Sequence, residues 1–342
     1  MKKLGNTLYV TTQGAYLAKD GEAITVRVEE ATRMRVPIHL LEGVVCFGQV
    51  GASPFALGLC GKRGVGVSFL TANGRFLARM QGPVSGNVLL RQEQYRAADA
   101  PDRSTVMAKA IVLAKIANSR TVLQRGLRER PDANADSMRS AVEGLSQLLR
   151  DVERTSSVDV VRGFEGHAAS VYFEVFDGLV VQQRESFAFR GRSRRPPLDA
   201  INALLSFLYA LLRHDVQGAL ESVGLDPAVG FLHRDRPGRP GLALDLMEEF
   251  RAVLCDRLAL SLINRRQIVG KNFATSESGG VTLDDDGRKT ILTAWQERKR
   301  EEVVHPFLGE KAPVGLLFHL QAALLARYLR GDLDGYPAYF WK

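Results

Sequence analysis

The stretch Ser104-Thr105-Val106-Met107-Ala108-Lys109-Ala110-Ile111-Val112-Leu113-Ala114-Lys115-Ile116-Ala117 decides the fold class. Apolar residues recur in it at Val106, Ala110, Leu113, Ile116 and Ala117, the three-and-four spacing that lines one face of an α-helix. The pattern runs on to Glu129 and returns over Met138 to Val152, Val158 to Phe176, Leu198 to Val223, Leu242 to Ile263 and Lys289 to Val303. A last helix is predicted from Val314 to Leu329, and Val281-Thr282-Leu283 reads as one strand of a small hairpin. Upstream the pattern is different. Thr7-Leu8-Tyr9-Val10 and Ile24-Thr25-Val26-Arg27-Val28 are β-branched and aromatic, while Asp20-Gly21 and Asn73-Gly74 are dipeptides suited to tight hairpins whose central residues need positive φ. Ser53-Pro54 predicts the start of one short helix among these strands, serine capping and proline in the first turn. The predicted fold is therefore α+β: a small N-terminal β domain over residues 1–90, then a larger, all-helical domain over 91–342, with the joint near 84–95.

A chain of 342 residues is long enough for two cores, and 45% hydrophobic with 25% charged residues is ordinary for a globular protein. Lys plus Arg number 46 against 38 Asp plus Glu, so the net charge of +8 favours an anionic partner such as nucleic acid. The three cysteines, Cys46, Cys60 and Cys255, show no CxxC spacing and sit among apolar neighbours, which suits a reducing compartment. No apolar run follows Met1-Lys2-Lys3, and the apolar stretches at 201–212 and 314–325 are too short to span a bilayer. These readings predict a cytoplasmic protein without a membrane partner.

Chemistry concentrates in Gly230-Phe231-Leu232-His233-Arg234-Asp235-Arg236-Pro237-Gly238-Arg239 and the following Leu244-Asp245-Leu246-Met247-Glu248-Glu249-Phe250. Imidazole with carboxylates suits Mg²⁺ or Mn²⁺, and arginines suit phosphate. On a helix Asp245 shares a face with Glu248 and equally with Glu249, so periodicity leaves open which glutamate completes a site. Glu165 lies among small residues in Gly163-Phe164-Glu165-Gly166-His167-Ala168-Ala169, where a carboxylate could face a ligand. Taken singly, Glu165 also reads as a solvated helical glutamate and His233 as a core or capping histidine. Arg190, Arg192, Arg194 and Arg195 form one basic loop, and Arg234, Arg236 and Arg239 a second; both are candidate DNA-binding segments. Arg265-Arg266 and Lys271 add a third cluster. Asp284-Asp285-Asp286 with Glu297-Arg298-Lys299 mimics a nuclease signature that requires a strand, but this segment reads as helix. Gly61 to Gly66 lacks P-loop spacing.

These motifs together resemble a known family. Gly163-x-Glu165-Gly166-x-Ala168-Ala169-x-x-Tyr172-Phe173, Asn202-Ala203-Leu204-Leu205 with Tyr209, Gly230-Phe231-Leu232-His233 and Leu244-Asp245-Leu246-x-Glu248-x-Phe250-Arg251 carry the resemblance, with Asn6 to Val10 and Asn73 to Leu77. The chain resembles the CRISPR-associated Cas-one family of spacer-acquisition integrases and endonucleases, and within it the subtype I-C branch. The resemblance implies an N-terminal dimerisation domain, a helical catalytic domain, and one Mg²⁺ or Mn²⁺ ion held by Glu165, His233 and Glu248, with Asp245 as a supporting catalytic acid. It implies double-stranded DNA as substrate (a foreign fragment and the leader-repeat junction), a homodimer, and a Cas-two dimer as partner in an integration complex. It also implies attack of a DNA 3′-hydroxyl on a phosphodiester, with DNA cleavage when water attacks instead. A non-catalytic DNA-binding scaffold is the alternative, its acids and histidine serving only the core.

Overall fold

The computed structural model describes residues 6–29, 31–72, 76–80, 82, 88–129, 135–277 and 279–341. The chain divides into two compact units, Met1–Gly86 and Asn87–Lys342.

Among the described residues, eight strands and one α-helix build the first unit, with a 3-10 turn at Ile38–Leu40: β1 (Asn6–Val10), β2 (Tyr16–Asp20), β3 (Ala23–Val28), β4 (Ala31–Pro37), β5 (Leu41–Phe47), β6 (Gly51–Ala52), α1 (Pro54–Lys62), β7 (Gly66–Leu70) and β8 (Phe76–Met80). They form two four-stranded sheets, ordered β1-β5-β7-β8 and β4-β3-β2-β6. β1, β5 and β7 run parallel, so their central strand is buried and apolar, with Val44, Val45, Cys46 and Phe47 all at or below 1% exposure. In the β2–β3 hairpin Asp20 pairs with Ala23, which makes Gly21-Glu22 the turn's central pair. Only Gly21 takes positive φ (58°), the type II′ pattern rather than the expected pair of positive-φ residues. The turn expected at Asn73-Gly74 lies outside the described residues. Ser53 caps α1 as anticipated, its Oγ accepting from Ala56 N at 3.1 Å.

The second unit is helical: α2 (Val88–Asp99), α3 (Pro101–Glu129), α4 (Ala135–Arg154), α5 (Val158–Glu174), α6 (Ala200–Ser222), α7 (Gly241–Met247), α8 (Arg257–Asn264), α9 (Asp285–Arg300) and α10 (Val314–Leu329). Two small antiparallel hairpins accompany them. β9 (Phe273–Thr275) pairs with β10 (Val281–Leu283), and β11 (Glu302–Val304) with β12 (Lys311–Pro313). The second hairpin corrects the reading of a helix through Val303. α9 ends at Arg300, and Glu301 is already extended. Asp284 caps α9, so Glu297-Arg298-Lys299 is helical and the nuclease-like signature is absent from this segment.

Two departures from the periodicity matter for function. In α3 the buried stripe is shifted by one residue from the expected one. Val106 is 51% exposed, whereas Met107, Ile111, Lys115, Asn118 and Val122 face inward. The sequence here is apolar over most of the circumference, so periodicity alone placed the stripe poorly. The predicted helix from Leu242 to Ile263 is also broken. α7 stops at Met247, Glu248 and Phe250 donate to Asp245 O and Met247 O in tight i→i+3 turns, and Arg251–Asp256 form a π-helical turn before α8. A tight turn followed by a wide one rotates successive side chains away from α-helical positions. Among the described residues no helix is long and apolar enough to cross a membrane.

Candidate metal centre

Gly230 has no room for a side chain. A Cβ there would lie 2.6 Å from Asp245 Oδ2 and 2.7 Å from the Gly241 carbonyl carbon, so the loop can approach the start of α7 only as glycine. That approach brings three successive backbone N–H groups onto one carboxylate. Phe231 N and Leu232 N donate to Asp245 Oδ2 at 2.6 and 2.9 Å, and His233 N donates to Oδ1 at 3.0 Å. His233 Nδ1 reaches the same Oδ1 at 2.6 Å. With Asp245 as acceptor, Nδ1 carries the proton and Nε2 presents its lone pair, the arrangement in which a carboxylate orients a metal-binding histidine. The loop is also tied to neighbouring helices: Ser104 Oγ donates to Phe231 O at 3.0 Å, and Arg162 of α5 donates to Leu232 O.

Glu165 of α5 and Glu248 of the turn after α7 meet on one cation, Lys115 of α3. The ammonium contacts Glu165 Oε1 and lies 2.8 Å from Glu248 Oε2. Arg251 pairs with the other oxygen of Glu248 at 2.6 Å. Glu248 is 3% exposed, yet its carboxyl is held down to about 2. Burial pushes it upward, but Arg251, then Lys115 and His233, outweigh burial. Its Oε2 is buried, and the ammonium of Lys115 is the cation that faces it. A Cβ at Gly163 or Gly166 on α5 would meet nothing within 4 Å, so these two glycines face open space, whereas Ala168 is buried.

Glu249 goes elsewhere. It is fully buried, and its carboxylate accepts from Tyr336 Oη at 2.7 Å, Tyr339 N at 2.7 Å and Gln321 Nε2 at 2.9 Å. Asn118 Nδ2 bonds both Glu249 O and Tyr339 O, at 2.7 and 2.8 Å, and Trp341 N donates to Asn118 Oδ1 at 2.8 Å. The C-terminal tail is thus pinned to the turn that carries Glu248, by the glutamate next to it. Burial raises the Glu249 carboxyl to about 7 against its hydrogen bonds. The structure therefore makes two pairs, Glu165 with Glu248 across Lys115 and His233 with Asp245, with the His233 charge felt at Glu248, and sends Glu249 to the tail.

Sequence reasoning missed Lys115 and, though Arg251 stands in one of the motifs, gave it no role. A lysine on the inner face of α3 carried a signal, since buried lysines are rare unless paired. Arg251 also lies 4.3 Å from the Tyr209 ring centroid, and Tyr209 Oη bonds Asp256 at 2.5 Å. Among the arginines, Arg190, Arg194, Arg195, Arg234 and Arg236 are exposed, and Arg239 is half-buried. Arg192 turns inward: it bonds Ser193 O at 2.9 Å and Asn202 Oδ1, with its guanidinium 5.1 Å from the Tyr209 ring centroid. Arg234 pairs with Asp159 of α5 at 3.0 Å, an exposed contact that a phosphate can replace.

Among the described residues no three His, Cys, Asp or Glu side chains stand together at metal-holding spacing, and the ammonium of Lys115 occupies the space between the two glutamates. The donor chemistry nevertheless fits a hard or borderline divalent ion. A buried carboxylate, a second carboxylate sharing its cation, and an imidazole whose Nδ1 is taken by Asp245 are suitable ligands.

The family model for CRISPR associated protein Cas1 matches residues 8–297. The chain belongs to the Cas1 family. A Cas1 relative from Chlorobaculum tepidum, described as CRISPR-associated endonuclease Cas1 1, is 54% identical over the whole of both chains. Among solved Cas1 structures, that of TM1797 from Thermotoga maritima has a TM-score of 0.82 at 25% identity, covering 96% of this chain and 98% of its own. A casposase bound to integration product gives 0.85 at 26% identity, covering 98% and 94%. The N-terminal β-rich unit and helical second unit described above are thus the Cas1 architecture.

Proposed function

We propose that this Cas1-family chain is a divalent-metal-dependent DNA integrase and endonuclease of spacer acquisition, of the subtype I-C-like branch indicated by its motifs. The observation that supports the reading is the buried pair of carboxylates, Glu165 and Glu248, held on one cation, together with the His233 ring oriented by Asp245 and electrostatically coupled to Glu248. The casposase relative supports DNA joining, since that protein was solved with an integration product.

Glu165, His233 Nε2 and Glu248 would hold Mg²⁺ or Mn²⁺. Bound there, the ion supplies Lewis-acid polarisation of a phosphodiester and favours an ionised attacking hydroxyl. Asp245 keeps the His233 ring in one orientation. Arg251 holds Glu248 in place and adds a positive charge next to the site. The exposed guanidiniums of Arg190, Arg194, Arg195, Arg234 and Arg236, with Arg239, would take the DNA backbone and leave sequence unread. A 3′-hydroxyl as nucleophile exchanges one phosphodiester for another, so no nucleotide hydrolysis is required; water as nucleophile cleaves the strand. Residues 1–90 would pair two protomers, and a Cas2 dimer would join them on DNA in the cytoplasm, partnerships that rest on the family resemblance. The test is half-site integration of a duplex with free 3′ ends. Mn²⁺ should support it and EDTA should abolish it, whereas metal-independent joining or mere binding would sink the proposal.

A further inference from the structure

Lys115 is 8% exposed, on the inner face of a 29-residue helix, and its ammonium touches the two carboxylates proposed above as metal ligands. An ammonium taken out of water is unfavourable by several kcal/mol unless paired, so its position depends on Glu165 and Glu248. The converse also holds. Without a cation between them, two carboxylates this close repel, one of them wholly enclosed.

We infer that Lys115 is a built-in counter-ion that competes with the divalent metal for Glu165 and Glu248, so that loading the metal requires the ammonium to leave. The inference rests on the metal-site reading above. Three details of the geometry carry it. First, Glu248 already has a guanidinium partner in Arg251, so Lys115 is not needed to neutralise it. Second, one ammonium serves both carboxylates, contacting Glu165 Oε1 and lying 2.8 Å from Glu248 Oε2, a bridging position that another cation can take. Third, the Glu165 side chain is 26% exposed, so an ion from solvent can reach that end of the pair.

Counting formal charge with His233 neutral, Glu165, Asp245 and Glu248 carry three negative charges and Lys115 with Arg251 two positive ones, a net of −1. A divalent ion entering beside an unmoved ammonium would bring this to +1. Without the lysine charge the site starts at −2, and the ion neutralises it. Like charges within several ångströms repel strongly even at the effective dielectric of a partly wet site, so removing Lys115 should strengthen metal binding by about tenfold or more.

The experiment uses the full chain without DNA, with Mn²⁺ as probe and free Mn²⁺ followed by electron paramagnetic resonance. Lys115→Met should bind Mn²⁺ about tenfold more tightly or better, and should show a lower thermal midpoint before metal is added and a larger rise on adding it. Lys115→Arg, which keeps the charge, should bind no more tightly than the unsubstituted chain. Equal or weaker binding by a folded Lys115→Met variant overturns the inference. A second measurement needs no variant: acetic anhydride labelling of Lys115, read by mass spectrometry, should be slow without metal and faster with Mn²⁺. Unchanged labelling at saturating Mn²⁺ also overturns it. If the unsubstituted chain binds no Mn²⁺ that Glu248→Gln removes, it is the metal-site reading itself that fails.

Discussion

Asp245 and His233 are joined twice, by Nδ1 to Oδ1 at 2.6 Å and by the backbone N–H to the same oxygen at 3.0 Å. The carboxylate therefore sets both the position of the histidine's backbone and the orientation of its ring. In Asp245→Asn one acceptor oxygen becomes an NH₂ group facing N–H donors. We expect a loss of about 1–3 kcal/mol in unfolding free energy from the unsatisfied buried groups. Mn²⁺ affinity should fall by roughly 10- to 100-fold, as when the outer partner of a ligating histidine is removed. Denaturant unfolding and metal titration check both; unchanged metal affinity would show that Asp245 does not orient a ligand.

Glu249 predicts a pH dependence in stability. Its carboxyl is raised by burial from 4.5 to about 7, so the folded chain holds that proton more tightly than the unfolded one. The associated stability is complete below pH 4.5 and is lost as pH rises through about 7. Glu249→Gln cannot titrate, so its thermal midpoint relative to the unsubstituted chain should rise across that window and level off above it. A constant difference between pH 4.5 and 7, measured without metal, would contradict the assignment.

The β-then-helix order was legible because strand and helix periodicities differ, and because Ser53-Pro54 and Asp20-Gly21 mark local geometry. The broken helix after α7 was not legible. Leu242 to Ile263 keeps its apolar spacing across the break, and what turns Glu248 and Glu249 in opposite directions is tertiary: Lys115 and Arg251 on one side, Gln321, Tyr336 and Tyr339 on the other. The candidate ligands were readable as motifs, whereas Lys115 was hidden by a stripe assigned one residue away. Arg192 looked like its loop neighbours, and only Asn202 and Tyr209 distinguish it.

That distinction separates the arginines. Replacing Arg190, Arg194, Arg195 and Arg236 by alanine together should weaken binding to unrelated DNA duplexes alike. Each lost phosphate contact should flatten the log-log salt dependence by about one unit. Arg192→Ala should instead lower the thermal midpoint, because it removes a packed guanidinium over Tyr209. Loss confined to one DNA sequence would contradict a backbone role.

Pairing through the first unit is open to a direct check. β4 is an edge strand with Met34 51% exposed, and Phe55 on α1 is 79% exposed. Light scattering of the full chain at micromolar concentration should give a dimer mass, and Met34→Asp with Phe55→Asp should reduce it. A monomer without substitutions would contradict dimerisation through residues 1–90.

The most direct measurement compares Glu248→Gln with Glu249→Gln in Mn²⁺-dependent half-site integration. Glu165→Gln and His233→Ala serve as companions, and circular dichroism confirms folding. The account predicts that Glu248→Gln, Glu165→Gln and His233→Ala each lose activity by at least about 100-fold while DNA affinity stays within a few-fold, since each removes a proposed ligand and none of the exposed arginines. It predicts that Glu249→Gln retains activity in proportion to its folded fraction, because its carboxylate faces the C-terminal tail. An inactive, folded Glu249→Gln beside a fully active Glu248→Gln would contradict the assignment at its centre.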